Sequence, residues 1–317
     1  MRALVTGGAG FVGRHLVAAL RAGGHDVVAA GLSHGDRDDD GVRWRELDVV
    51  DGEACRALVA EARPDWVFHL AGLAHVAQCE REPERALAVN FGGTRRVLEA
   101  CAAAAPAARV LLVSSAEVYG RVPPERQPIA EDQPPRPATA YALSKACAEL
   151  AGQRAAAGGT RLLVVRPFNH IGPGQSDEFV ASAFARQLAR IEAGAQPPVL
   201  RVGNLEAVRD LTDVRDAVGA YVAAMERAPD GALFNVTSGR ATSVRQLLDL
   251  LLSLCRSRVS VETDPARLRP VDVPVLHGSG AALERAVGWK AGRELRETLA
   301  DLLDYWRARE PDASARR

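Results

Sequence analysis

Residues 2–13 read RALVTGGAGFVG: a short apolar run, a cluster of glycines, then the start of an amphipathic stretch. Gly7, Gly10 and Gly13 fall as GxxGxxG between a predicted strand over 2–7 and a predicted helix over 11–23. Glycine at these places lets the turn close, lets backbone approach a pyrophosphate, and lets helix pack on strand; the helix N-terminus adds N–H groups and positive potential. Glycine spacing alone is a weak signal. In the first strand-to-helix turn it predicts a dinucleotide site, with Gly7, Gly10, Phe11, Val12 and Gly13 along it.

Outward from that turn, short apolar runs alternate with helical stretches. Strands are predicted over 26–31, 42–48, 66–71, 109–115 and 161–168, and helices over 52–62, 84–105, 139–157 and 179–193. This is the pattern of an α/β, doubly wound parallel sheet. After residue 168 the rhythm loosens: strands over 199–203, 232–238, 259–262 and 273–276, and helices over 214–227, 244–255 and 293–307. We expect a dinucleotide-binding domain of residues 1–166 with about 212–240, and a smaller α/β substrate domain of 167–211 with 241–317. The alanines at 102–105 end at Pro106 and read as a helix end. Six prolines fall between Ser115 and Tyr141 (123, 124, 128, 134, 135 and 137); so long a connection is either a functional wall of a substrate cleft or a surface excursion.

The 317 residues carry 40 basic and 40 acidic side chains. A balanced charge supplies no general field for nucleic acid or an anionic membrane, and no apolar run reaches the roughly 20 residues of a bilayer span. The opening enters a strand directly, without a signal-peptide pattern. The five cysteines show no metal-ligand spacing and read as reduced thiols of a cytoplasmic protein. No metal site is expected.

The second strand usually ends in an acid that bonds the adenosine ribose. Here it ends at Gly31, followed by Ser33, His34 and Arg37. With no carboxylate to repel a 2′-phosphate, and with Ser33, His34 and Arg37 able to bond one, NADPH is favoured, with NADH open. In the alternative, 34–40 is a solvated loop and Asp36 serves the ribose. Asp48, with Val49, closes the third strand where adenine would lie.

Tyr141 and Lys145 form YxxxK, which puts phenol and ammonium on one helix face. The ammonium is expected to stabilise phenolate and bring the Tyr141 pKa toward working pH. Of the 40 basic residues only Lys145 and Lys290 are lysines, so a compact ammonium is kept where arginine is otherwise used. Ser115 ends the fifth strand, where a hydroxyl points into the ligand crevice. Ser114 faces the other way and Tyr119 reads as packing.

TGGAGFVG, HLAG (69–72), VNFGGT (89–94), SSAEVYG and YALSK together resemble the extended short-chain dehydrogenase/reductase family of nucleotide-sugar enzymes. The resemblance implies a seven-stranded Rossmann sheet. It places Leu70, Ala71, Gly72, Asn90 and Pro167 along the cofactor with Tyr141 and Lys145, makes Ser115, Tyr141 and Lys145 a catalytic triad, and implies a homodimer through helices near 84–105 and 139–157. RPFNHIGPGQ (166–175), VGNLEAVRDLTDVRDAVGAY (202–221) and DPARLRPVD (264–272) resemble the reductases of GDP-4-dehydro-6-deoxy-D-mannose within that family. That implies a substrate diphosphate held by Asn169, Arg209 and Arg269, whose guanidinium forks suit phosphate. His170 is equally a ligand or a packing residue.

The related 4,6-dehydratases carry an acid–acid pair after the serine or threonine. Here the pair is Ala116–Glu117, which lacks the proton donor that elimination needs and leaves Glu117 as a sugar contact. The expected reaction is NAD(P)H-dependent reduction of a 4-keto-6-deoxysugar nucleotide, GDP-linked or dTDP-linked, with Tyr141 as proton donor. The alternatives are a nucleotide-sugar 4-epimerase and, from another class, a dinucleotide-binding redox sensor without chemistry.

Overall fold

The structure is a computed structural model that describes residues 1–32, 37–39 (backbone alone for Arg37 and Asp39), 41–267 and 273–310. Its strands are β1 (Arg2–Thr6), β2 (Asp26–Gly31), β3 (Arg37–Asp39), β4 (Val42–Glu46), β5 (Trp66–His69), β6 (Arg109–Val113), β7 (Arg161–Pro167), β8 (Asn169–Ile171), β9 (Val199–Val202), β10 (Val208–Asp213), β11 (Leu233–Val236), β12 (Ala241–Ser243), β13 (Ser260–Thr263) and β14 (Val275–Leu276). The helices are α1 (Phe11–Ala22), α2 (Gly52–Ala62), α3 (Val76–Arg81), α4 (Pro83–Ala86), α5 (Thr94–Ala104), α6 (Ala140–Ala157), α7 (Val180–Glu192), α8 (Val214–Arg227), α9 (Val244–Leu254), α10 (Ala281–Val287) and α11 (Leu295–Arg307).

The main sheet runs β11-β7-β6-β5-β1-β2-β4-β3. Seven strands are parallel and β3 joins the edge antiparallel to β4. Buried on both faces, β1 and β5 are continuous apolar runs, as central parallel strands require. One face packs on α1 and α8 through Leu16, Leu20, Val218 and Tyr221; the other packs on α2 and α5 through Leu58, Val59, Val97 and Leu98. The order reverses between β1 and β5, so their carboxyl ends open a crevice. Side-chain caps fix several helix starts: Asp51 accepts from Glu53 N and Ala54 N, Thr139 accepts from Ala142 N, and Ser243 with Gln246 forms a capping box.

After β7 the chain builds a second layer. β12, β10 and β14 pair, β8 joins β10, and β9 pairs with β13. Phe184, Leu188, Leu247, Leu251, Leu299 and Leu302 of α7, α9 and α11 form its own core. Leu283 and Val287 of α10, from the block expected over 241–317, pack in the core of the main sheet.

The helix expected over 84–105 is interrupted. Between α4 and α5 lies a seven-residue π-helix, Leu87–Gly93. At Gly93 a Cβ would lie 2.6 Å from Val49 Cγ2, so the widened turn brings backbone against the β4–α2 loop. The proline-rich stretch is not a cleft wall beyond its first residues: only Ala116 and Glu117 of it line the cleft. The rest straps onto the C-terminal region. Gln127 Nε2 donates to Val275 O at 2.9 Å, Gln127 Oε1 accepts from His277 N, and Ile129 bridges to Gly278. No helix among the described residues is long and apolar enough to cross a membrane.

Candidate active site

A cleft of about 1010 Å³ runs along the carboxyl ends of the main sheet into the second layer. At one end it is lined by Gly7, Gly10, Phe11, Val12 and Gly13, by Asp48 and Val49, and by Leu70, Ala71 and Gly72; at its centre are Ser115, Tyr141, Lys145 and Pro167; at the other end are Asn169, His170, Arg209 and Arg267. Ser33 and Arg269 lie outside the described residues, as does the side chain of Arg37.

Two glycines make the cradle. Gly7 has φ +72° and a Cβ there would lie 2.8 Å from Ala71 N, while a Cβ on Gly13 would lie 2.1 Å from Gly7 O. No other residue permits the β1–α1 turn, the β5 loop and the helix to approach so closely. The cradle and the helix N-terminus beneath it fit a dinucleotide pyrophosphate.

The loop after β5 is anchored by a directional chain of hydrogen bonds. Thr94 Oγ1 donates to Asn90 O, so His69 Nε2 must carry a proton and donate to Thr94 Oγ1 at 3.0 Å. His69 Nδ1 then accepts from Thr6 Oγ1 at 2.7 Å, and Thr6 Oγ1 accepts from Ala71 N. Burial holds the His69 pKa down at about 3, which keeps the ring neutral and the chain intact. Asn90, expected along the cofactor, does not line the cleft: its Oδ1 accepts from Leu73 N at 2.7 Å, and its Nδ2 donates to Leu73 O and Ser144 Oγ. It is a buried fastener beneath Gly72, taken up by backbone that sequence spacing does not reveal.

Tyr141 and Lys145 line the cleft from α6, and Ser115 lines it from the end of β6. The expected lowering of the phenol does not hold. Burial pushes Tyr141 up to about 12, against which a hydrogen bond from Ser115 acts, so the group is a protonated phenol at neutral pH. The ammonium is turned elsewhere: Lys145 Nζ donates to Val113 O at 2.7 Å. Burial lowers its own pKa to about 8. Tyr119, as expected, is packing, with its hydroxyl donating to Asn235 Oδ1 at 2.7 Å. Ser114 borders the cleft, and its hydroxyl donates to Glu149 Oε1.

Asn169 enters the cleft because β8 pairs with β10, setting Asn169 opposite Leu211. Its Oδ1 is buried without a partner, as are His170 Nδ1 and Gln175 Oε1 beside it. His170 is both packing residue and cleft residue: Nε2 meets the Tyr221 hydroxyl at 2.8 Å while Nδ1 stays unpartnered. Arg209, on β10, reaches the same end of the cleft. Sequence reasoning missed Arg267, which lines the cleft two residues before Arg269, and His75 and Phe179, whose rings meet edge to face across it. The run of arginines in DPARLRP was the available signal for Arg267.

A dinucleotide cradle, a buried tyrosine and lysine beside a strand-end serine, and an arginine-lined extension define an NAD(P)-dependent oxidoreductase of the short-chain dehydrogenase/reductase type. The chain belongs to the NAD-dependent epimerase/dehydratase family, whose model matches residues 3–237. It is 37% identical to the GDP-6-deoxy-D-mannose reductase of Pseudomonas aeruginosa, over 97% of this chain and 98% of that one. It is 31% identical to a UDP-glucose 4-epimerase of Mycolicibacterium smegmatis, over 97% and 99%. Among solved structures, RMD from Pseudomonas aeruginosa complexed with NADPH superposes with a TM-score of 0.84 at 35% identity, covering 98% of this chain and 100% of that one.

Proposed function

We propose that this enzyme is an NAD(P)H-dependent 4-ketoreductase of a nucleotide-diphospho-4-keto-6-deoxysugar, GDP-linked, with GDP-rhamnose as product. The observation that carries the reading is one continuous cleft holding the glycine cradle, the Ser115–Tyr141–Lys145 cluster and the Asn169–Arg209–Arg267 end. The relative's printed activity supports it. Bound at the cradle, a reduced nicotinamide supplies hydride to the C4 carbonyl. The chain's residues do the rest. Ser115 positions the carbonyl oxygen, Tyr141 donates its proton to the developing alkoxide, and Lys145 holds the nicotinamide ribose. Pro167 flanks the ring, Asp48 and Val49 border adenine, Glu117 faces the sugar, and Asn169, Arg209 and Arg269 hold the diphosphate. At neutral pH the Tyr141 phenol carries the proton that the reduction consumes.

The test is NADPH consumption with GDP-4-keto-6-deoxymannose and its dTDP-linked counterpart. Stoichiometric oxidation with the GDP sugar is expected. Interconversion of UDP-glucose and UDP-galactose without net consumption of added cofactor would favour the epimerase reading, which relatives of that activity support.

A homodimer is supported by Phe91, Leu143 and Leu150, which stand 37%, 46% and 62% exposed on the π-helix and α6; large apolar side chains on neighbouring exposed elements suit a partner's matching face. A cytoplasmic location fits five cysteines that are all free thiols.

A further inference from the structure

Helix α6 places Tyr141, Lys145 and Glu149 at four-residue intervals, on one face. Each meets one of three consecutive residues at the end of β6. Tyr141 meets Ser115, Lys145 Nζ donates to Val113 O at 2.7 Å, and Glu149 Oε1 accepts from the Ser114 hydroxyl. Glu149 is also gripped from β7 by Arg166, Nε to Oε1 at 2.9 Å and Nη2 to Oε2 at 2.6 Å. The two side chains are only 6% and 4% exposed. The guanidinium in turn lies over the Tyr119 ring, 4.7 Å from its centroid. Burying such a pair is poor value for stability alone, because apolar side chains of similar volume do as well or better.

On the reading that Tyr141 and Lys145 carry the proton and the ribose, we propose that Glu149 is a positioning residue for them: it clamps the β6 end against α6 through Ser114, and it keeps a negative charge one helical turn beyond the Lys145 ammonium. Glu149 on its own helix, Cys79 from α3 and His69 from β5 act on Lys145, Tyr141 lies one turn before it on α6, and Arg166 of β7 stands behind Glu149. Tyr141 is a protonated phenol, His69 is neutral, and burial pushes the Cys79 thiol up, so Glu149 is the one formal negative charge among them. Burial draws Lys145 toward its neutral amine, and Glu149 pulls it back. Glu149 thereby favours the charged form of the Lys145 ammonium from outside the cleft lining.

The chain has only two lysines, so a sample labelled with 13Cε-lysine gives two resonances. Lys290, 75% exposed, is the internal reference. In the wild type the Lys145 signal is expected to titrate near pH 8. In Glu149→Gln it is expected to titrate lower, with Lys290 unmoved. Glu149→Gln leaves Arg166 buried without its partner, and that positive charge also lowers Lys145; Glu149→Gln with Arg166→Met, which has no unpaired charge, is expected to shift the midpoint in the same direction by less. Ser114→Ala keeps the ion pair and releases the clamp; kcat is expected to fall about 2- to 10-fold, the scale of one hydrogen bond, with Lys145 titrating as in the wild type. A Lys145 midpoint unchanged in the Glu149 variants overturns the charge role, and an unchanged kcat in Ser114→Ala overturns the clamp. The titration needs no substrate, so it stands or falls apart from the identity of the sugar nucleotide.

Discussion

His15 Nε2, on the helix that opens from the glycine cradle, donates to the carbonyl of Pro173 at 2.8 Å. The bond ties the cofactor end of the fold to the loop that follows Asn169 and His170, across 158 residues of chain. Phe11 lies edge-on to the same imidazole, with ring centroids 5.7 Å apart, and lines the cleft. His15→Ala is expected to raise KM for the sugar nucleotide about 2- to 10-fold, the loss of one net hydrogen bond. NADPH affinity, read by fluorescence titration, should change by less than this. Equal loss of both affinities would mean that His15 supports α1 rather than the loop.

Tyr141→Phe keeps the ring in the cluster it shares with Cys79 and Ala86 and removes the hydroxyl alone. Turnover should fall by roughly 10²–10⁴-fold, the range for general acid catalysis, with NADPH binding largely intact. A variant that keeps more than about a tenth of wild-type turnover, chemistry being rate-limiting, would remove Tyr141 from the proton-donor role.

Gly31→Asp is expected to move cofactor preference from NADPH toward NADH. The position has room, since a Cβ there would meet Ala9 Cβ at 3.6 Å, an ordinary contact. The new carboxylate would repel a 2′-phosphate and bond a free ribose. The ratio of kcat/KM for the two cofactors, measured in wild type and variant, decides it; a wild type that strongly prefers NADH contradicts this reading of the β2 end.

Arg209→Ala and Arg269→Ala should each weaken sugar-nucleotide binding by about 1.5–3 kcal/mol, the scale of a hydrogen bond to a charged group. Isothermal titration with GDP and with NADPH separates the two sites. Only the first affinity should drop.

Acid should destabilise the protein above the carboxylate range. Burial lowers the pKa of His69 to about 3 and of His170 to about 4, whereas both titrate near 6.5 when unfolded. Between those limits the unfolded chain binds more protons than the native one, so stability falls as pH falls. Two such groups give a slope approaching about 2.7 kcal/mol per pH unit below pH 6. Urea unfolding at pH 7, 6 and 5 measures it. His170→Asn should roughly halve the slope, and a flat profile over this range would show that neither ring is buried neutral.

The alternation of strand and helix was legible through β7 because parallel strands are apolar on both faces and helices are amphipathic; β2, α2 and α8 have the predicted limits and the ends of the other predicted elements fall within a few residues. What escaped was held by contacts distant in sequence. β10 reads VRDLTD, too charged for a buried strand, yet Asp210 is fully buried because it accepts from Thr237, Ser238 and Gly239. β8 is three residues that become a strand only by pairing with β10. The π-helix, LAVNFGG, holds a glycine pair inside a stretch read as one continuous helix, and within it Asn90 reaches Leu73 and Ser144. Within the site, the glycine spacing and YxxxK exposed the cradle and the Tyr–Lys pair. The direction of the Tyr141 shift was misjudged because sequence gives the neighbouring ammonium but not the burial that outweighs it.

The sheet order β11-β7-β6 has a consequence for how the molecule is made. A ribosome delivers β1 to β7 first, but the strand that completes the sheet, Leu233–Val236, and the helix that covers one of its faces, Val214–Arg227, emerge only after β8, β9 and β10. Through that interval the nascent chain presents a bare strand edge and an uncovered apolar face, the surfaces that misassociation exploits. The half bearing the glycine cradle is therefore not a unit that can be cut out at residue 166. Its folding waits on about three-quarters of the chain being synthesised, and a chaperone holding that edge would act before the cofactor site exists.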